Sequence, residues 1–307
     1  MNKYFTLLTF FVLSALSGIS QTPNDTIWKK GLFVSANFNQ VSFTNWAAGG
    51  ENSVALNGFL NTFANYKKGN VTWDNNLDLS YGLSKIGAED LKKNEDRIEY
   101  TGKLGYSIKN SKKFYYSSLL NIKTQFANGY DYTNTEPIVI SRFAAPAFTV
   151  FSIGIDYKPS DKLSAYLSPI SNKNTFVFDD TLSKQGAYGV KSGEKIRSEM
   201  GAYLNVRYKQ EVIENVTLSS QLDLFSNYLE DPQNVDLNFT LMLVMKVNKY
   251  ITANFSTQFI YDDNTPIAVY EGTGFSKKQI GVGPRLQSKQ LFGVGLGYKL
   301  TKSTVSK

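Results

Sequence analysis

Apolar and polar side chains alternate one by one along much of the chain. The clearest segment puts a run of apolar side chains on one face: Val235, Leu237, Phe239, Leu241, Leu243, Met245 and Val247. A repeat of two residues is that of a β-strand, whose successive side chains point to opposite faces. About twelve such segments follow one another, near residues 32–45, 53–67, 71–86, 97–110, 114–130, 148–158, 163–178, 196–212, 216–229, 235–248, 250–262 and 289–301. The pattern predicts an all-β fold.

Alternation alone fits both a membrane barrel and a soluble β-sandwich, because each buries one apolar face. The length of the segments favours the barrel. Strands of globular proteins are most often about 5–6 residues long, whereas a strand that crosses a membrane needs about 9–11. Most of the segments reach the longer value, so we expect a single up-and-down antiparallel transmembrane β-barrel of about twelve strands.

The connections between segments alternate between tight turns and long loops. Tight turns fall at 68–70, 110–113, 159–162, 214–215 and 248–249, and long loops at 87–96, 131–147, 179–195 and 263–288. Barrels of the outer membrane have short periplasmic turns and long external loops. This rhythm predicts an even number of strands with both termini in the periplasm.

Aromatic residues collect where the predicted strands end. They lie beside the short turns or beside the loops: Tyr66, Trp73, Tyr106, Tyr116, Tyr157, Tyr208 and Tyr298, then Tyr81, Phe126, Tyr228 and Tyr261. Tyr and Trp favour the interface between lipid and water, since the ring is apolar and the hydroxyl or ring nitrogen stays hydrated. Strand propensity alone would explain their abundance but not this placement. We therefore expect outer-membrane lipid to surround the barrel.

The first residues read as a signal for export. A charged start with Lys3 is followed by an apolar run from Tyr4 to Leu16 and by small residues up to Ser20. The apolar run is too short to span a bilayer as a helix. We predict a signal peptide at 1–20, a periplasmic lead at 21–31, the barrel at 32–301 and a tail at 302–307.

The composition excludes several kinds of chemistry. The chain has no Cys and no His, so it has no disulfide, no thiolate nucleophile and no imidazole base. Its formal net charge is +7. The Lys residues gather at predicted turns, where they face anionic lipid heads, and no basic helix or aromatic platform for nucleic acid is visible. We predict no enzymatic activity, no cofactor, no metal site and no nucleic-acid partner.

The stretch from Asn39 to Ser53 carries a recognisable motif, Asn-Trp-Ala-Ala-Gly-Gly-Glu-Asn, preceded by Trp-Lys-Lys-Gly at 28–31. It resembles the start of a family of Bacteroidota barrels known only as domain of unknown function 3078. The resemblance implies an outer-membrane barrel of a Gram-negative, Bacteroidota-like bacterium and brings no catalytic residues with it. The closing segment, with Gly295, Tyr298 and Leu300, resembles the C-terminal signal that the barrel insertion machinery reads.

Two sets of residues are candidates for function. The first is the loop motif, whose adjacent glycines permit a tight turn: Asn45, Trp46, Gly49, Gly50, Glu51 and Asn52. It is either a polar ligand surface or a demanding loop that caps the barrel mouth. The second is a balanced set of charges on the predicted inner face: Asp74, Asp78, Glu99, Lys103, Lys123, Glu199, Arg207, Asp223 and Lys246.

Three roles remain open from the sequence. Barrels of about eight strands are filled by side chains and those of about 16–18 enclose a water channel, so about twelve strands predict a narrow lumen. The chain is then a narrow channel for small hydrophilic solutes, or a structural barrel with a closed lumen that works with other envelope proteins. A secreted soluble β-protein is the third alternative.

Overall fold

The alternating segments fold as long β-strands that pair edge to edge. The computed structural model describes residues 27–43, 51–132, 136–265, 267–271 and 278–305, and within them twelve strands close into one antiparallel barrel. The barrel strands are β1 (Ile27–Val41), β2 (Ser53–Lys68), β3 (Val71–Ile86), β4 (Lys92–Ser107), β5 (Phe114–Thr124), β8 (Ala147–Ser160), β9 (Leu163–Phe176), β10 (Ile196–Ile213), β11 (Val216–Asn227), β12 (Val235–Lys246), β13 (Ile251–Tyr261) and β16 (Gln287–Val305). Two small hairpins lie in long loops: β6 (Gly129–Asp131) with β7 (Ile138–Ser141), and β14 (Ile267–Glu271) with β15 (Lys278–Gly283).

The barrel has the simplest up-and-down order. Each barrel strand pairs with the strands before and after it, and β16 returns to pair with β1, from Ile27 opposite Val305 to Phe38 opposite Val294. Closure leaves no strand edge with unpaired backbone groups, which is what a β-structure needs in order to cross hydrocarbon. The predicted all-β, single antiparallel barrel is confirmed.

The two faces of the barrel can be assigned from one ion pair. Asp236 of β12 lies 2.5 Å from Lys173 of β9, which is three strands away around the wall, so the two side chains meet inside the barrel. Since side chains alternate along a strand, the neighbours Leu237, Phe239 and Leu241 point outward.

Apolar side chains cover the outside and polar side chains are buried inside. On β8, the side chains of Phe151 and Ile153 are 50% and 56% exposed, whereas Ser152 between them is 1% exposed and Asp156 is fully buried. A soluble protein has the reverse arrangement. The exposed apolar face therefore meets lipid, as expected for an integral outer-membrane barrel.

An aromatic girdle surrounds the end of the barrel that carries the short turns. Tyr106 of β4 lies opposite Tyr116 of β5, and both side chains point outward, 57% and 61% exposed. The ring of Tyr157 on β8 packs 4.8 Å from that of Phe114. Neighbouring outward-facing rings at one level match the interface belt of a membrane barrel.

The largest differences between predicted and observed strand boundaries lie in β1, β4, β5 and β16. β1 begins at Ile27, inside the segment expected to be a lead, and β16 continues to Val305, inside the expected tail, because the two ends pair with each other. β4 begins at Lys92, five residues before the predicted start at 97, and β5 ends at Thr124 instead of 130. The predicted signal peptide, 1–20, lies outside the described residues.

The loop between β9 and β10 is folded against the loop that precedes β8. A short helix, Asp180–Lys184, begins after Asp179, whose carboxylate accepts hydrogen bonds from two backbone amides of the first turn. Buried apolar side chains hold the two loops together: Ala145, Val177, Leu182 and Val190. We call this unit the outer cap. Helices in the described part of the chain are short, and none is long and apolar enough to cross a membrane.

The assignment of the two faces predicts that two adjacent substitutions on β12 destabilise the barrel to different extents. Leu241→Arg places a charge on the lipid side near the middle of the strand, and we expect it to cost about 2–4 kcal/mol of unfolding free energy. Thr240→Arg places the same charge on the inner side and should cost much less. Urea titration of the barrel folded in lipid vesicles measures both; equal losses, or a larger loss for Thr240→Arg, would show that the faces are reversed.

Candidate functional site: the barrel lumen

A first cluster of charges fills the lumen near the short-turn end. Lys103 of β4 lies 2.7 Å from Asp156 of β8 and donates to Ser164 at 2.6 Å. Lys158 lies 3.3 Å from the same Asp156 and 2.5 Å from Asp74 of β3. Two cations and two anions therefore neutralise one another across strands β3 to β8, which lowers the cost of burying them.

A second cluster lies near the long-loop end and centres on Lys173 of β9. Its ammonium group lies 2.5 Å from Asp236, 3.5 Å from Glu199 and 3.5 Å from Asp262. Arg197 adds a hydrogen bond to Glu199 at 2.8 Å. The side chains of Lys173 and Glu199 are 10% and 2% exposed, so the cluster is shielded from water. One lysine pairs with three carboxylates in it, and we call it the Lys173 hub.

Between the two clusters, hydrogen bonds cross the lumen. Gln221 of β11 donates to Glu99 of β4 at 3.4 Å, and Arg207 of β10 donates to Thr101 at 2.8 Å. Asp223 accepts hydrogen bonds from Tyr203 and Gln221 at 2.5 and 2.8 Å. β11 and β4 are five strands apart around the wall, so these contacts span nearly the full width of the barrel.

A contact between directly opposite strands crosses the lumen near the short-turn end. The ammonium group of Lys209 on β10 lies 5.6 Å from the ring centre of Phe63 on β2, which is six strands away. The ring of Phe63 packs over Gly31, where any Cβ would collide with it. Phe63 and Lys209 therefore form a constriction across the interior.

The two walls of the lumen differ in how much of their surface is accessible. On strands β4, β5, β8, β9 and β10, inward side chains are mostly buried, including Leu119, Tyr166 and Tyr203, which form an apolar cluster. We call this the packed wall. On strands β2, β3, β11, β12 and β13, many inward side chains are half-buried, among them Asn61 and Thr240. We call this the open wall. Because inward side chains meet solvent only inside the barrel, free space follows the open wall.

An acidic cavity of about 130 Å³ lies at the long-loop end, above the Lys173 hub. Carboxylates and carboxamides line it: Glu199, Asn227, Glu230, Asp231, Asn234, Asp236, Asp263 and Asn264. Among the described residues, no group of three or more Asp, Glu, Cys or His side chains is arranged to bind a metal ion. The carboxylates give this mouth of the barrel a negative potential that attracts cations and repels anions.

Two ionisable groups of the outer cap have displaced pKa values. Burial raises the pKa of the Tyr188 hydroxyl to about 12, and this hydroxyl donates to the backbone oxygen of Ile140 at 2.7 Å. Lys195, which lies 2.7 Å from Asp180, lowers the pKa of that carboxyl by a hydrogen bond and by its charge. Both groups keep one charge state at neutral pH, so they fix the cap and do not switch it.

Of the predicted loop motif, the structure describes only the last two residues. Asn45, Trp46, Gly49 and Gly50 lie outside the described residues. The carboxamide oxygen of Asn52 accepts a hydrogen bond from the backbone amide of Phe43 at 2.6 Å, which ties together the two sides of the loop. Glu51 is exposed and packs near Gly87, in the next loop around the barrel.

Seven of the nine predicted lumen charges occupy three places. Asp74 and Lys103 belong to the first cluster and Glu199 to the Lys173 hub. The cross-lumen level holds the residues from the middle of the strands: Glu99, Lys123, which lies opposite Glu99 in the strand register, Arg207 and Asp223. Asp78 accepts hydrogen bonds from Asn61 and Asn76. Lys246 is exposed at the end of β12.

Sequence reasoning missed the centre of the second cluster. Lys173, Asp262 and Arg197 were not among the predicted site residues, although Lys173 holds three carboxylates. The signal was hidden by a β-bulge in β9, where the pairing with β10 jumps from Ser168 to Ser171. A bulge exchanges the inward and outward positions that follow it, so strict alternation from Tyr166 assigns Lys173 to the wrong face.

A family described as "Protein of unknown function (DUF3078)" matches this chain. The match covers residues 38–130, from the end of β1 into the loop after β5. The resemblance seen in the motif after Asn39 is therefore confirmed over that segment. No curated protein matches the chain.

Several solved structures resemble the barrel along its whole length. An outer membrane channel from Pseudomonas putida F1 is 12% identical with a TM-score of 0.36, covering 93% of this chain and 98% of that one. The translocator domain of the autotransporter NalP from Neisseria meningitidis is 10% identical with a TM-score of 0.35, covering 96% and 95%. Outer membrane phospholipase A from Escherichia coli is 10% identical with a TM-score of 0.33, covering 91% and 98%. The strand order and the two faces of the sheet establish the barrel fold independently of these likenesses.

The geometry of the Lys173 hub predicts a large effect of removing its one central cation. Lys173→Met leaves three carboxylates facing each other with only Arg197 beside them, and we expect a loss of about 3–5 kcal/mol of unfolding free energy. Adding Asp236→Asn to this variant should restore part of the lost unfolding free energy, because it removes one of the unpaired carboxylates. Urea unfolding from lipid vesicles measures the change. The matched control is Lys246→Met at the exposed rim; if the two single variants are equally stable, Lys173 does not hold the hub together.

Proposed function

We propose that this outer-membrane barrel is a narrow channel for small hydrophilic solutes, with the path along the open wall. One observation carries the proposal: many inward polar side chains are half-buried on the five strands of the open wall, whereas most are buried on the packed wall. A space lined by amides and hydroxyls passes hydrated solutes more readily than apolar ones. The Phe63–Lys209 contact limits the size of what passes.

The same architecture supports one orientation in the membrane. Both ends of the described barrel, Ile27 and Val305, lie with the short turns. Membrane barrels keep their short turns in the periplasm, so we place the termini there and the outer cap and the acidic cavity outside the cell. The motif after Asn39 supports an origin in a Bacteroidota-like bacterium.

The same architecture supports two partners. The end of β16, with Tyr298 and Leu300 facing outward, supports delivery by the barrel insertion machinery. The folded outer cap offers a defined surface to other envelope proteins.

A structural barrel with a closed lumen is the second candidate, because contacts cross the interior. Gln221 reaches Glu99 and Lys209 reaches Phe63 from nearly opposite strands. If these contacts persist, the protein acts through its loops as part of an envelope assembly. We assign no reaction to either candidate, since the chain has no His to serve as a base.

Conductance separates the two candidates. We expect the purified protein to form small, discrete openings in planar bilayers, and Phe63→Ala to raise the conductance several-fold, because it removes one side of the constriction. Phe255→Ala is the matched control, since it removes an aromatic ring from the lipid-facing side of β13 and should leave conductance unchanged. If neither the natural protein nor Phe63→Ala opens, the closed barrel replaces the channel.

The acidic cavity predicts which ions pass more easily. In a KCl gradient we expect a reversal potential of cation-preferring sign, and Glu230→Gln with Asp231→Asn should reduce the preference, because both carboxylates line the outer mouth. Glu214→Gln in an exposed short turn at the opposite end is the control. An unchanged reversal potential in the double variant would remove the outer mouth as the source of selectivity.

A further inference from the structure

Asparagine and glycine residues lie at one level on adjacent strands around the seam of the barrel. In the strand register, Asn254 of β13 lies opposite Gly293, Asn37 of β1 lies opposite both Gly295 and Asn57, and Asn57 of β2 lies opposite Gly82 of β3. The glycines have no side chain, so the carboxamides of neighbouring asparagines occupy the space beside Gly82 and Gly293. The level is therefore lined by carboxamides and backbone.

The carboxamide oxygens at this level outnumber the donors that face them. The nitrogen of Asn254 donates to the oxygen of Asn37 at 2.8 Å. The oxygens Oδ1 of Asn57, Asn94 and Asn254 are buried and have no hydrogen-bond donor among the described residues. Asn57 and Asn254 are 6% and 4% exposed. A buried acceptor without a donor costs about 1–3 kcal/mol, so three of them at one level require a partner.

Two of these oxygens are immediate neighbours. A Cβ built on Gly82 would collide with Oδ1 of Asn57 and with Oδ1 of Asn94, so both atoms occupy the space that this glycine leaves free. Two partially negative oxygens that approach one point repel each other unless a donor or a cation lies between them. Asn94 takes this position because it is the extra residue of the bulge in β4.

A small cavity lies beside three of these carboxamides, those of Asn37, Asn57 and Asn254. It has room for about one water-sized species, 10 Å³. The side chains that line it carry no formal charge, and the polar ones are Asn37, Asn57, Asn254 and Ser256. Glu95, which lies opposite Gly82, is paired with Lys289 at 2.7 Å and accepts from Ser80 at 2.6 Å, so it adds no net charge to this level.

We propose that this carboxamide level is a binding site for a single monovalent cation of the size of K⁺ or Na⁺. Neutral carbonyl oxygens replace the water shell of monovalent ions, as in selective filters, whereas Ca²⁺ and Mg²⁺ sites are built with carboxylates. A sugar or another organic solute does not fit a space of one water. The site deepens the proposed function, because it lies on the seam beside the open wall.

The test uses thermal unfolding of the whole protein in detergent micelles. The unfolding midpoint is compared in KCl and in choline chloride at equal ionic strength, since choline is too large for the cavity. A ligand that binds only the folded state raises the midpoint, and we expect a rise of about 2–4 °C in KCl. Sodium chloride is the second probe and should act in the same direction.

Two variants and one control locate the effect. Asn57→Leu and Asn254→Leu keep the volume and remove the oxygens, so the difference between the two salts should vanish. Asn238→Leu removes an inward carboxamide whose oxygen already accepts from Gln258 at 3.0 Å, and it should keep the difference. If a variant does not fold, Asn57→Ser, which shortens the side chain and keeps a hydroxyl, replaces it.

The outcomes separate this site from the channel. Equal midpoints in the two salts for the natural protein overturn the cation site, and so does a difference that survives in both Leu variants. A salt difference in a barrel that never conducts supports the site and removes the channel. Conductance without a salt difference supports the channel and removes the site.

Discussion

Every backbone amide and carbonyl that enters hydrocarbon must be hydrogen-bonded within the protein, and the rest of this structure follows from that constraint. A sheet meets it only by closing, and closure here depends on twelve pairs that run from Ile27 opposite Val305 to Phe38 opposite Val294. Once the sheet is closed, alternation sends one set of side chains into lipid and the other into a narrow interior. The seam between β1 and β16 thus fixes both the membrane position of the chain and the polar nature of its lumen.

A polar interior of this width brings charges close together, and the way they are compensated divides the lumen. The cation Lys103 lies beside Asp156, and Lys173 lies among three carboxylates, so most buried charges have a partner of opposite sign. Lys103, Asp156, Lys173 and Glu199 come from the packed wall and fill that side together with its tyrosines, while Asp236 reaches Lys173 from β12. The open wall carries mainly amides and hydroxyls. Such groups can be half-hydrated without a charged partner, and space remains beside them.

The fold could be predicted from the sequence because period, strand length and loop rhythm are local properties. The alternation of Leu237, Phe239 and Leu241 identifies the apolar face of their strand without information about any other strand. The lumen contacts could not be predicted in this way, since the partner of Gln221 depends on how far around the barrel β4 lies. The bulge after Ser168 also interrupts the strict alternation of inward and outward side chains. The Ser168 hydroxyl donates to the backbone oxygen of Ile153 and accepts from the amide of Ile170, so local hydrogen bonds replace the regular strand pairing there. The outer cap depends on contacts between two loops that no periodicity reveals.

The carboxamide level and the ion-pair clusters are two ways of burying polar side chains in the interior of the barrel. Burying a cation beside a carboxylate satisfies both groups permanently and leaves nothing to exchange. Burying the carboxamides of Asn57 and Asn94 side by side leaves oxygens without a donor among the described residues, and a cation from the lumen can satisfy them. A structural barrel gains nothing from such a level, because apolar side chains in place of Asn57 and Asn94 would fill the space and remove the unmatched acceptors. A site that binds and releases a small cation needs this incomplete arrangement, and its place next to the open wall is where an ion could reach it from the lumen.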